Sequence, residues 1–243
     1  MILYYAIGGG LGHLSRARRV LTRLGLRDRA VILTTLDEPE LAGGIPTIRS
    51  ADFHEYERII VDAFPCGLLG ELRNLDMPMD YVARLLQWDA YAAATGAVMP
   101  HFETAYVVEP LTHAIDSDRV VELDLSEPPE MAEEEDFWLV AHSGSDDEVR
   151  HLTAYARDVQ AIEEVEAPIV VARRTFPLAP LLARAARIIS AAGFNIMLET
   201  QPWRHKHHAV PLPRRFDDQF TRAARRRKLS EHQTQSCPPD QSS

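Results

Sequence analysis

Residues 6–19, AIGGGLGHLSRARR, put glycines at positions 8, 9, 10 and 12 and an imidazole, His13, straight after them. Glycines at a strand-to-helix turn let backbone N–H groups approach a ligand closely, and the following helix aims its positive dipole end at the same point. The chemistry this suits is the binding of an anion or a sugar phosphate, with Gly10 and Gly12 at the ligand. A dinucleotide fingerprint, G-x-G-x-x-G, fits poorly, because counting from Gly8 and Gly10 the third glycine position holds His13. Close helix–strand packing leaves no room for a side chain there. His13 at the mouth of a site would serve as a general base or as a donor to phosphate. Asp62 closes a short apolar run in the same half of the chain. A second glycine turn comes late, where a strand ending at Ser190 meets Gly193 and a helix whose first turn, with Asn195, offers N–H groups to a phosphate.

The elements that must position these groups follow from periodicity. Ile2–Tyr5 reads as a strand, and from Leu14 the apolar residues Leu14, Ala17, Val20, Leu21 and Leu24 form a helical stripe that Gly25 closes. Arg16, Arg18, Arg19 and Arg23 fall on the other face. Strand-like runs recur at 30–35, 45–48, 59–61 and 105–108, the alternation of a parallel sheet covered by helices. EPPEMAEEED, residues 127–136, reads as a solvated acidic linker between domains. A second α/β unit then begins: a strand at FWLVA, a helix from a Ser145–Glu148 capping box to about Ala161, a strand at PIVVA, a helix at PLLARAA, a strand at RIIS and a helix after Gly193. The expectation is two Rossmann-like α/β/α domains facing across a cleft, residues 1–126 and 137–228, with a disordered tail at 229–243.

Composition narrows the function. A packed core is within reach of 243 residues that are 46% hydrophobic, and a net charge of −10 argues against nucleic-acid binding as the main activity. One of the two cysteines, Cys237, lies in the polar tail, so a disulfide with Cys66 is not expected and a reducing cytoplasm fits. No window approaches the roughly 18 apolar residues of a membrane span. Peripheral contact with a membrane and the oligomeric state stay open.

Three stretches carry a resemblance: GLGHLSRA near the start, IVDAFPCGLLGEL at 60–72, and ISAAGFNIMLE with VPLPRRFDDQFTRA near the end. On these the chain resembles the GT-B glycosyltransferases, most of all the branch with the peptidoglycan lipid-linked N-acetylglucosaminyl transferase and the bacterial predicted glycosyl transferases. The resemblance implies a compact GT-B fold in which the first domain takes the acceptor and the second a nucleoside diphosphate sugar, such as a UDP-sugar, with no cofactor and no tightly bound metal. The chain is shorter than usual members. In such enzymes Glu199 would accept from both ribose hydroxyls, a bidentate match of two acceptor oxygens to a diol. Asp218 and Gln219 would hold sugar hydroxyls, and Ser143 and Gly144 would touch the diphosphate. Asp146, Asp147 and Glu148 crowd that last loop with negative charge, so either Ser143 and Gly144 reach the phosphate from the side or the loop has lost the role, with Arg173, Arg204 or Arg214 as compensating cations. For the first domain the resemblance implies a dyad, in which Asp62 orients His13 and His13 removes the acceptor proton. The alternative has His13 bind phosphate and Asp62 or Glu71 act as base, unless Glu71 caps a helix.

Two motifs are discounted as metal sites. DSD at Asp116–Asp118 is a common loop pattern, and HKHH at His205–His208, beside Arg204 and with Lys206 within it, reads as a polar loop before a strand at 209–212. The expected activity is transfer of a sugar to an acceptor hydroxyl, with a nucleotide-sugar epimerase or a nucleotide-sugar-binding protein without transfer activity as rivals.

Overall fold

The computed structural model describes residues 1–8 and 10–235. The described residues form two compact units: residues 1–126 with 215–218, and residues 127–214 with 219–235.

The first unit runs β1 (Ile2–Tyr5), α1 (Gly12–Arg23), β2 (Ala30–Leu33), α2 (Pro39–Ala42), β3 (Thr47–Ile48), β4 (Arg58–Asp62), β5 (Met79–Ala83), α3 (Trp88–Thr95), β6 (His101–Val107) and β7 (Asp116–Glu122). Its seven strands pair in the order β3-β2-β1-β4-β5-β6-β7, every pair parallel. All four residues of β1 and of β2 are buried, as strands covered on both faces require. Helix α1 buries Leu14, Ala17, Val20 and Leu21 completely. It ends as the glycine predicts: Gly25, at φ +68°, lets its own N–H reach Thr22 O while Leu26 N–H reaches Leu21 O.

The order of strands sets where a ligand would sit. From β1 the chain steps outward through β2 to β3, then returns to β4 on the other side of β1 and continues outward to β7. Such a reversal opens a crevice at the carboxyl ends of the two central strands. The segments that leave those ends are the glycine turn before α1 and the stretch after Asp62.

The second unit runs β8 (Glu135–Ala141), α4 (Asp146–Glu163), β9 (Ile169–Ala172), α5 (Ala179–Arg184), β10 (Ala185–Ala191), α6 (Phe194–Glu199), β11 (His207–Val210) and α7 (Gln219–Gln235). Its sheet is parallel in the order β11-β10-β8-β9, so β8 and β10 flank its own reversal point. Both halves of the capping box of α4 are formed, Ser145 accepting from Glu148 N–H and Glu148 from Ser145 N–H. The apolar residues Leu139, Leu182, Ala185 and Ile188 pack one side of this sheet and Val140, Leu152, Ala156 and Ile189 another.

Several boundaries differ from the sequence reading. The acidic connection is shorter than 127–136, since Glu135 and Asp136 belong to β8; Arg184 holds Glu135 (Nε to Oε1, 2.6 Å) and Lys206 holds Glu134 (2.9 Å). Residues 215–218 pack with the first unit through Phe216, whose ring meets Phe64 and Tyr91 and whose carbonyl accepts from Gln87 N–H at 2.7 Å. The expected tail is helical as far as Gln235, because 219–235 contains neither proline nor glycine and is rich in good helix formers. Residues 236–243 lie outside the described residues. Strands β5 and β7 had no counterpart in the periodicity: Asp80 interrupts the first, and the second is a polar edge strand. Among the described residues no helix is long and apolar enough to cross a membrane.

Candidate active site

His13 lies in the first turn of α1 and Asp62 is the last residue of β4, so the reversal of the sheet brings together groups 49 residues apart. His13 Nδ1 stands 2.6 Å from Asp62 Oδ2. A carboxylate only accepts, so Nδ1 carries the proton and the lone pair of the neutral ring is on Nε2. Among the described residues nothing hydrogen-bonds Nε2. Glycine 8 is what makes room for this ring: a Cβ there would stand 2.2 Å from Nε2 and 2.3 Å from Cδ2. The reason for glycines before this histidine is thus partly steric, because one of them vacates the space the imidazole fills. Gly10 is exposed with open space beside its Cα, and Gly12 begins α1.

Asp62 is fully buried and carries four donors. Oδ2 accepts from His13 and from Arg16 Nη2 (2.7 Å), while Oδ1 accepts from Arg16 Nε (2.6 Å) and from Tyr4 OH (3.2 Å). Burial alone would raise its pKa; the Arg16 guanidinium and His13 overcome that and hold it well below the usual carboxylate range. Saturated in this way, Asp62 is an orienting anion and a poor base. His13 is moved the other way: burial lowers its pKa, Asp62 opposes, and Arg16 and Arg84 add to the lowering. The imidazole is therefore neutral at neutral pH.

The backbone after Asp62 is bent to match. Ala63 has φ +66°, and Phe64 N–H donates to Asp62 O at 2.8 Å, a three-residue turn. Such a conformation costs a non-glycine residue roughly 1–3 kcal/mol. It is held by Ala63 N–H on Val82 O and Tyr81 OH on Ala63 O, both at 3.1 Å. The turn delivers the Phe64 ring onto His13, centroids 5.5 Å apart.

The sequence reading put Arg16 on the helix face away from the apolar stripe; in the structure it is 2% exposed. The signal was present, since positions three apart share a helix face and Arg16 is three beyond His13. Tyr4 and Arg84 were also missed. Arg84, just after β5, pairs with Asp217. Glu71 is not near Asp62 in its bonding: it accepts from Tyr5 OH and from Leu69 N–H (2.7 Å), closing the turn at Gly67, and caps no helix.

The second unit places Ser143 and Gly144 after β8 and Gly193 after β10, the two strands at its reversal point. The space at Gly144 is filled, however. A Cβ there would meet Glu148 Oε2 at 2.0 Å and His142 Nε2 at 2.3 Å, and those two side chains bond each other at 2.9 Å. Burial would raise the pKa of Glu148, but hydrogen bonds from Arg214 and His142 bring it down to about 2. Arg173 spans Asp146 (2.5 Å) and Gly144 O (3.1 Å). Two of the three expected cations thus hold carboxylates of the same loop, and the Glu148 carboxylate lies beside Gly144. Asn195 and Glu199 are half-buried on α6, a helix of six residues that Glu199 ends. Asp218 is half-buried, while Gln219 is 4% exposed and its Oε1 accepts from Leu212 N–H at 3.0 Å, tying the segment after β11 to the start of α7.

The discounted motifs are also placed. Asp116 and Asp118 sit on strand β7, not in a loop, and flank His101 of β6 at 3.1 and 3.2 Å. His207 and His208 belong to β11, whose start is earlier than expected; His207 is buried between Ser190 and Thr200, each hydroxyl 2.8 Å from a ring nitrogen. No protein-family model matches the chain, and no curated protein matches it in sequence.

Proposed function

We propose that this chain transfers a sugar from a nucleoside diphosphate sugar to an acceptor hydroxyl, with His13 as the base. The observation that carries the reading is the His13–Asp62 contact of 2.6 Å at the reversal point of the first sheet, with Nε2 left to meet a hydroxyl. In the step, Nε2 takes the acceptor proton, the hydroxyl oxygen forms the bond to the anomeric carbon, and the bond to the diphosphate breaks. Asp62 keeps the ring in the required tautomer and supports the charge it gains. In the second unit Gly193, Asn195 and Glu199 are the candidates for the donor nucleotide.

A second reading, a nucleotide-sugar-binding protein without transfer activity, is favoured by the filled loop at Gly144, where Glu148 would repel a diphosphate. Incubation with nucleoside diphosphate sugars and a panel of acceptors, followed by product analysis, separates the two. Transfer that falls roughly 10²–10⁴-fold in His13→Ala supports the first reading. Binding with no product supports the second, and isomerised sugar would point to an epimerase instead.

A further inference from the structure

Arg16 stands one helical turn beyond His13, and both reach the same carboxylate. Its guanidinium is bidentate on Asp62, through Nε at 2.6 Å and Nη2 at 2.7 Å, and it is as deeply buried as the site itself. A buried arginine loses several kcal/mol of hydration, about the scale that makes such pairs neutral or costly for stability. Stability is thus a weak reason for placing an arginine here. We propose that Arg16 is a positioning residue of this site: it locks Asp62 in the orientation that receives the His13 N–H, and its charge cancels that of Asp62, leaving the imidazole uncharged and able to take a proton. The inference rests on His13 acting as the base.

The reasoning is electrostatic. A carboxylate in contact with an imidazole stabilises the protonated ring and raises its pKa by about 1–3 units, and a ring already protonated at neutral pH is no base. The charged and titratable groups facing His13 are Asp62 from β4, Tyr4 from β1 through that carboxylate, Arg16 from its own helix, and Arg84 after β5 with its partner Asp217. Two cations and two carboxylates sum to zero around the ring. Without Arg16, His13 would feel an uncancelled Asp62. The bidentate geometry has a second effect, since each carboxylate oxygen is tied to one guanidinium nitrogen and the group cannot rotate away from Nδ1.

The test is a histidine titration by NMR on the full chain, with ring-labelled histidine and the His13→Gln spectrum used to identify one resonance among ten histidines. In the wild type His13 should titrate below its ordinary value of 6.5, because burial disfavours the charged ring. Arg16→Met should raise the midpoint by about one unit or more, while Arg16→Lys, which keeps the charge, should stay within about half a unit of wild type. A midpoint in Arg16→Met at or below the wild-type value overturns the inference. Should Arg16→Met fail to fold with its buried carboxylate unpaired, Asp62→Asn and the Arg16→Met/Asp62→Asn double variant make the same comparison: adding Arg16→Met must raise the midpoint, and no rise overturns the inference. The titration needs no turnover, so absence of transfer would sink the transferase reading and leave this result intact. Where transfer is found, the acid limb of the pH–rate profile should move upward in Arg16→Met with the titration.

Discussion

Gly8→Ala adds one methyl group at the point where the structure has no space for it. The new Cβ would lie 2.2, 2.3 and 2.7 Å from Nε2, Cδ2 and Cε1 of His13. Gly8 is not among the glycines at positive φ, so alanine fits the backbone and the effect must come through the ring. The imidazole is 7% exposed and covered by Phe64, and it can yield only by leaving Asp62. Losing a hydrogen bond to a charged group costs about 1.5–3 kcal/mol. Replacing glycine at a compatible position returns about 0.4–1 kcal/mol by restricting the unfolded chain. The net destabilisation should be about 0.5–2.5 kcal/mol, read from urea denaturation of each variant with slopes compared. On the proposed transferase reading, turnover should drop by on the order of 10²-fold, the usual consequence of misplacing a catalytic group by an ångström. The deciding control is the His13→Ala background, where no ring is left to strike: there Gly8→Ala should be neutral or slightly stabilising. An equal loss in both backgrounds would refute the steric account of Gly8.

Asp62→Asn should destabilise by about 3–5 kcal/mol because it leaves Arg16 buried without its anion, while the Arg16→Met/Asp62→Asn double variant should lose far less than the sum of the singles; additive losses in denaturation would show that the two do not act as a pair. Gln219→Ala should cost about 1–3 kcal/mol by orphaning Leu212 N–H. Thermal and urea unfolding would read that cost, and unchanged stability with weakened sugar binding would return Gln219 to the sugar site. Burial first, then Arg226 and His208, pushes the His207 imidazole down to about 3. The unfolded chain therefore takes up a proton that the folded chain refuses: the contribution of the neutral ring is whole above pH 6.5 and falls as pH drops from there to about 3. At about 1.36 kcal/mol per unit the loss reaches roughly 4–5 kcal/mol. His207→Gln should flatten the slope of stability against pH in that window, and an unchanged slope would reject a buried neutral ring.

What the sequence determined by itself is local. The stripe from Leu14 to Leu24, Gly25 at its end and the Ser145–Glu148 capping box are statements about residues one turn apart, and each is formed except that Leu24 is half-buried just past the helix. The parallel α/β character was legible for the same reason, since strands buried on both faces carry continuous apolar runs such as Ile2–Tyr5. Position along the chain also marked His13 and Asp62 as groups at the ends of elements. Tertiary structure decided the rest, because it depends on what faces a side chain across the fold. Arg16 reads as one of four arginines on the face away from the apolar stripe, and the neighbouring strand β4, by presenting a buried anion, makes that position an interior one. Gly144 and Gln219 read as ligand contacts through the resemblance alone. Folding brings the Glu148 carboxylate beside Gly144 and Leu212 N–H onto Gln219 Oε1. Helical and strand periods report which way a side chain points, and the charge or hydrogen-bond partner that meets it is supplied by residues tens of positions away.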